Sequence, residues 1–436
     1  MKLSTHSLMS VLRLATLIAI GLLGGNADAV GQAYRVIYDF GYISSDGWFP
    51  VGIPALAKNG DLYGVTHSGG TYNWGTVYKL TAPRTRGGTW IKTILYDFPS
   101  NSQEYPASVV IGEDGALYGT GAGPSIRGFI FRLTPPSSGD GPWMYQTLYT
   151  FQSSADGNGP EGNLVFDAAG NLYGATQAGG DLSCGQNGGC GTVFELKRPT
   201  KSGGKWRFSV LHTFTGIPDG IQSFAGVTFD QKGSLYGTTN WGGPLGSGAV
   251  YRLTPPAKKG QSWTETVLYS FAQDGPRGSH PEGPVIFDGS GNLYSTTAFG
   301  GDANCQGGFG CGAVFELSPP AKKGGAWTDA TLHAFQGGSD GTDPSGYMAF
   351  DSKGNLYGTT QVGGGATEGG TVYRLKPPAR KDGAWTETVL HAFTDSNGDG
   401  ALPASGLTWG KWNYLYGVTG EGGLCLGCGT AFELQP

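Results

Sequence analysis

Four polar residues occupy one equivalent place in recurring segments of this sequence. His67, Gln177, Asn240 and Gln361 each follow a short stretch built around Leu-Tyr. Imidazole and amide groups set at one level supply both donors and acceptors, which suits hydrogen bonding to a hydroxyl-rich ligand. Trp74 and Trp241, with Trp48 and Phe299, fall in neighbouring loops and offer flat faces on which a sugar ring can stack. The competing reading is ordinary loop packing.

A second cluster is the run Asp395-Ser396-Asn397-Gly398-Asp399-Gly400. Asp395, Asn397 and Asp399 stand at positions 1, 3 and 5 of a calcium-loop pattern. Position 12 is Gly406, where an EF-hand requires Glu. A plain turn fits these residues as well as a weak calcium site does, and no other cofactor is expected. The six cysteines fall in three close pairs, Cys184/Cys190, Cys305/Cys311 and Cys425/Cys428. Export to an oxidising compartment favours three local disulfides over metal or redox roles.

Catalytic signatures are missing. The chain has no Gly-x-Ser-x-Gly elbow, no His-Glu-x-x-His and no phosphate-binding loop. His212, His333 and His391 replace Tyr96, Tyr149 or Tyr269 of sister segments, a substitution that reads as packing. An acid–base pair would need carboxylates outside the repeat, and Glu104, Glu368 and Glu421 qualify by irregularity.

The elements that must carry these residues are repeated. The Tyr of Leu-Tyr recurs at 63, 118, 173, 236, 294, 357 and 416. Each interval accommodates four short strands, here lettered A to D. Strand A ends in Asp, as in Leu164–Asp167. An Asp-x-x-Gly turn leads to strand B, as in Asn171–Thr176. Strand C resembles Thr192–Leu196, and strand D resembles Trp263–Phe271, with polar and apolar residues alternating. Gly accounts for 80 of 436 residues, which disfavours a helical fold. Aromatics at 12% exclude a disordered chain, and the net charge of −5 argues against a nucleic-acid partner.

A strand D (Tyr34–Phe40) precedes the first full unit, and the last unit ends at strand C (Phe432–Leu434). Pairing those two closes a ring. The expected fold is therefore all-β: a single seven-bladed β-propeller of four-stranded blades over residues 30–436, with the N-terminal strand completing the last blade. D–A and B–C loops would share one face. D–A segments hold the acids Asp46, Asp156, Glu161, Asp219, Asp274, Glu282, Asp340, Asp343, Asp395 and Asp399, and C–D segments are rich in Lys and Arg (84, 86, 198, 259, 323, 381), so one acidic and one basic face are expected. Ordinary solvated turns would give the same pattern.

The motifs Gly354–Thr360 and Gly370–Leu375, with the Asp-Gly-rich segment after each strand D, resemble the GloVer-type tandem repeat of exported bacterial proteins, the choice-of-anchor family. The resemblance covers essentially all of the chain after residue 29. It implies a β-propeller-like repeat protein and no catalytic residues.

Residues 1–29 read as a signal peptide: Lys2 and Arg13, the apolar run Leu14–Leu23, then Ala27-Asp28-Ala29. The expected product is secreted or periplasmic and monomeric, with no membrane span in the mature chain. Its expected function is non-catalytic binding of a glycan or another cell-envelope component. A secreted glycan-active hydrolase or lyase with funnel carboxylates, and a structural envelope or matrix component, are the alternatives.

Overall fold

The computed structural model describes residues 33–436 except 42, 44, 101–103, 124, 125, 140, 185–187, 202, 259, 274–276, 303, 306, 307, 323, 381, 382 and 426. The signal-peptide segment, Asp274, Lys259, Lys323 and Lys381 lie outside the described residues.

Seven four-stranded antiparallel units form a seven-bladed β-propeller. The first blade shows the pattern in full: Trp48–Leu56, Leu62–Ser68, Thr76–Thr81 and Ile91–Asp97, paired in chain order. In the last blade Thr408–Trp409, Leu415–Thr419 and Thr430–Gln435 are joined by Ala33–Asp39. That N-terminal strand pairs antiparallel with the C-terminal one, Tyr34 opposite Leu434 and Val36 opposite Phe432. Circular closure leaves no open sheet edge at the seam.

Each conserved-looking position of the repeat has a visible task. The Asp of the A–B turn binds its own backbone and the strand B tyrosine: Asp167 accepts from Ala169 N at 2.9 Å, Asn171 N at 2.8 Å and the Tyr173 hydroxyl at 3.2 Å. The strand D phenylalanine sits between blades, fully buried at Phe40, Phe98, Phe214, Phe335 and Phe393. Its N–H reaches a B–C loop glycine carbonyl, as in Phe214 to Gly191 at 3.1 Å and Phe335 to Gly312 at 3.0 Å. This bond places D–A and B–C loops on the same face.

The core is distributed over the blade interfaces. One apolar cluster joins Phe40 and Tyr416 of the last blade to Leu62, Tyr78 and Trp90 of the first. Another joins Phe335 and Val314 to Leu356 and Tyr373 one blade on. Tryptophans at the start of strand D lean on the preceding blade's strand B tyrosine, with ring centroids 5.4 Å apart for Trp90/Tyr416 and 6.0 Å for Tyr118/Trp206. Each buried aromatic removes about 150–250 Å² from water, so seven such interfaces dominate the stability.

The three disulfides are Cys184–Cys190, Cys305–Cys311 and Cys425–Cys428, with Cα atoms 5.6, 5.5 and 5.6 Å apart. They pin B–C loops beneath the following D–A loop, and Cys190 and Cys311 belong to the interface clusters. Bridges of this kind mark an oxidising extracellular or periplasmic location. No helix among the described residues is long and apolar enough to cross a membrane.

Candidate functional site

The inner strands surround a central channel whose mouth lies on the D–A/B–C face. A cavity of about 580 Å³ opens there, lined by Phe49, His67, Tyr105, Glu161, Gln361 and Leu402 among others. A second, of about 300 Å³, continues along the inner strands and shares Gly52, Glu161, Gln361, Ala404 and Ser405 with the first. Its wall adds Glu282, Ser345 and Tyr347. The Tyr347 hydroxyl donates to the Ala225 carbonyl at 2.9 Å. Tyr347 belongs to the sixth blade and Ala225 to the entrance of the fourth, so this bond spans the channel past the fifth.

The inner strands can approach this closely because two glycines permit it. Asn163 bridges Gly226, and Tyr347 bridges Gly406, both in parallel register. A Cβ at Gly406 would stand 2.2 Å from the Tyr347 nitrogen, and its φ of +86° suits glycine.

The mouth is built on one repeated backbone device. The residue preceding the inner-strand Pro has a positive φ in Phe49 (59°), His280 (58°), Asp343 (54°) and Leu402 (55°). Gln222, whose blade has Ser223 in place of Pro, shares it at 63°. Left-handed geometry at non-glycine residues costs of order 1–3 kcal/mol each and concentrates where a fold presents a site. These residues differ from blade to blade, so each blade sets a different side chain at the rim.

The residues singled out from sequence are placed as follows. His67 stacks on Tyr105, centroids 4.6 Å apart, meets Phe49 edge-on, and lines the larger cavity with Gln361. Burial pushes the His67 imidazole below its ordinary range. Gln177 donates through Nε2 to Glu161 at 2.8 Å, and Asn240 donates through Nδ2 to Glu282 at 2.9 Å. His67 and Gln361 thus share a cavity wall directly, while Gln177 and Asn240 reach the channel through carboxylates. Trp241 is 47% exposed and stands edge-on to His280 at 4.0 Å. Phe299 meets the same imidazole edge-on at 5.4 Å. Trp74 is half-buried against Tyr105 at 5.0 Å and lies inside the packing of the rim.

By sequence, Glu161, Glu282 and Asp343 group with the solvated D–A turn acids, and Glu104, Glu368 and Glu421 stand out instead. The structure puts the first three near the channel. Glu104 accepts a hydrogen bond from Tyr145 at 3.3 Å, on an outer strand. The missed signal was the tripeptide Pro-Glu-Gly at Pro160–Gly162 and Pro281–Gly283, where other blades carry Val51, Ala107 or Ala404. Burial pushes the Glu282 carboxyl up to about 7; the Asp343 charge adds to this and the Asn240 amide opposes it. Burial likewise raises Asp343 to about 6, and its Oδ1 has no hydrogen-bond partner among the described residues. Glu161 is solvent-accessible at its own surface, yet the surrounding channel wall still raises its carboxyl.

Asp399, of the calcium-like run, is engaged by protein donors. It accepts from the Tyr34 hydroxyl at 2.7 Å, from Thr394 N at 3.0 Å and from Gly400 N at 2.9 Å, and lies 3.2 Å from His391 Nε2. Asp395 and Asn397 are exposed turn residues with φ of 49° and 57°. Among the described residues, no group of three His, Cys, Asp or Glu side chains is arranged to hold a metal ion. The same clamp recurs elsewhere: Asp46 with Tyr38, Asp156 with Tyr149, Asp219 with His212 and Asp340 with His333, at 2.9, 2.7, 3.1 and 3.0 Å. These D–A aspartates are therefore tied into loop structure rather than forming a free acidic face. The three histidines are packing and clamp residues.

Among solved structures, the chain is similar to YCF48 from Cyanidioschyzon merolae (14% identity, TM-score 0.49, 93% of this chain and 99% of that one). It is also similar to a putative 6-phosphogluconolactonase from Bacteroides uniformis (13%, TM-score 0.48, 85% and 88%). A third is the soluble aldose sugar dehydrogenase from Escherichia coli (16%, TM-score 0.43, 93% and 99%). No curated protein matches the chain. The model of the Gloeobacter/Verrucomicrobia repeat matches twice, over residues 26–200 and 182–432, and the chain belongs to that family.

Proposed function

We propose that this protein is an exported binding propeller that takes a polyhydroxylated ligand of the carbohydrate class at the channel mouth. One observation carries the reading. A cavity of about 580 Å³, within the range of small-ligand sites, has a mostly apolar and aromatic wall into which Glu161, Gln361, His67 and Ser405 set polar groups, and it lies on the face that carries the exposed Trp241. Gln361, Glu161 with Gln177, and Glu282 with Asn240 offer acceptors and donors at several angles, the pattern that vicinal hydroxyls require. Trp241, Phe299 and Trp48, at 47%, 38% and 38% exposure, supply stacking faces on the same side of the ring. The test is a glycan array with the purified protein, followed by titration of any retained polysaccharide. Binding that falls about tenfold or more in Trp241→Ala and Gln361→Ala is expected. If no polysaccharide is retained, the reading fails.

A second reading, a glycan-active hydrolase or lyase, is favoured by one feature. Glu282 and Asp343 lie close enough to interact, and burial raises both carboxyls well above their ordinary range, to about 7 and about 6. Turnover of a retained glycan that disappears in Glu282→Gln would establish it.

A further inference from the structure

The channel is lined by carboxyl groups with no basic side chain beside them among the described residues. Glu161 lines both cavities, Glu282 lines the deeper one, and Asp343 is near enough to raise the Glu282 carboxyl. Among the described residues, neither cavity is lined by a Lys or an Arg. Among the described residues, the side-chain partner of each of the two glutamates is a neutral amide, Gln177 or Asn240. A carboxyl held against a protein wall with only dipoles around it gains most when a cation arrives to pair with its ionised form.

A separate observation points to the same cavity. Ser345 lines the deeper cavity with Glu282, is only 6% exposed, and its Oγ has no hydrogen-bond partner among the described residues. A buried hydroxyl left unpaired is destabilising, and a ligand donor or acceptor would relieve it.

Two kinds of cation could answer the charge. A metal ion needs several ligands drawn within about 2.6 Å of one point. No three His, Cys, Asp or Glu side chains among the described residues are so arranged. An ammonium group on an organic frame needs only one carboxylate at hydrogen-bond distance, and its frame can use the remaining amides and the serine. The exposed Trp241 face adds attraction for a cationic sugar at the rim.

We infer that the channel selects a glycan bearing free amino groups, with Glu282 and Glu161 receiving the ammonium and Ser345 a neighbouring hydroxyl. This deepens, and rests on, the carbohydrate-binding reading above.

The experiment is calorimetric titration of the full-length purified protein with a glucosamine tetramer and with the same tetramer N-acetylated, at one pH and ionic strength. The free-amine oligomer should bind at least tenfold tighter. Glu282→Gln and Glu161→Gln keep an acceptor for Asn240 and Gln177, so the fold is retained, and each should shrink that preference several-fold. Glu113→Gln, an exposed turn residue at the opposite end of a blade, removes the same formal charge and should leave it unchanged. Equal affinity for the two oligomers, or tighter binding of the acetylated one, overturns the inference and leaves carbohydrate binding standing. A preference that Glu113→Gln diminishes as much as Glu282→Gln reduces it to bulk attraction by net charge and also overturns it. Failure to bind these or any array glycan removes both readings together.

Discussion

Removing the Tyr34 side chain tests whether the first strand locks the ring. Its hydroxyl donates to Asp399 at 2.7 Å, and its ring stacks on His391 with centroids 3.5 Å apart. It also meets Phe393 edge-on at 5.9 Å and Phe432 at 5.8 Å. Tyr34→Phe deletes one bond to a carboxylate, nominally about 1.5–3 kcal/mol. Asp399 keeps Thr394, Gly400 and His391 as partners, so no acceptor is stranded and the lower end, about 1.5 kcal/mol, is expected. Tyr34→Ala also loses the ring packing, and large-to-small changes at buried aromatics cost about 3–5 kcal/mol. A total near 5 kcal/mol follows for Ala, of which Phe should restore most. The assay is urea unfolding followed by tryptophan fluorescence, paired with hydrogen exchange over Thr430–Gln435, the partner strand. Both variants should speed exchange there before other blades respond. A loss below about 1 kcal/mol in Tyr34→Ala, with exchange in 430–435 unchanged, would refute the seam as the fold's closure.

Two blade interfaces should respond to pH. Glu265 faces His212 and Asp219, and Glu387 faces His333 and Asp340; burial lifts each carboxyl from 4.5 to about 7. A raised carboxyl favours the folded state while protonated, so this contribution is full below about pH 4.5 and is lost as pH rises through 7. The rise is worth about 3 kcal/mol per group unscreened, and roughly half that for partly exposed side chains. Glu265→Gln/Glu387→Gln should therefore flatten the decline in stability between pH 5 and 7.5, and an unchanged slope in denaturant midpoint would contradict this. Reduction of the disulfides should destabilise without unfolding: bridges closing loops this short are worth about 2 kcal/mol each. Dithiothreitol should lower the unfolding midpoint of the native protein and leave the all-serine variant unmoved. Equal response of both would show that the bridges contribute nothing.

Much of the architecture was readable because it is local and repeated. The recurring Leu-Tyr, Trp and Phe positions mark strands whose neighbours in sequence are neighbours in space. Pairing from Trp48–Leu56 to Ile91–Asp97 needs nothing beyond short turns. Closure was readable because a spare strand D at Tyr34 matched a missing one after Leu434. The disulfides followed for the same reason, each joining cysteines at most six residues apart.

The candidate site was half visible. The polar residues that end strand B stood out by position, and His67 and Gln361 do share a wall. Glu161, Glu282 and Asp343 did not stand out, because single acids in loops are indistinguishable from solvated turns until the direction of each side chain is known. Asp46, Asp156, Asp219, Asp340 and Asp399 looked similar and yet clamp a Tyr or His seven or eight residues earlier. By itself the sequence determined strands, blade count, ring closure and cross-links, since these depend on periodicity and short-range contacts. Only the tertiary structure decided which acids face the axis. Circular packing carries Glu161, Glu282 and Ser345 to one channel from three different blades, and a left-handed backbone step turns neighbouring His280 and Asp343 at its rim.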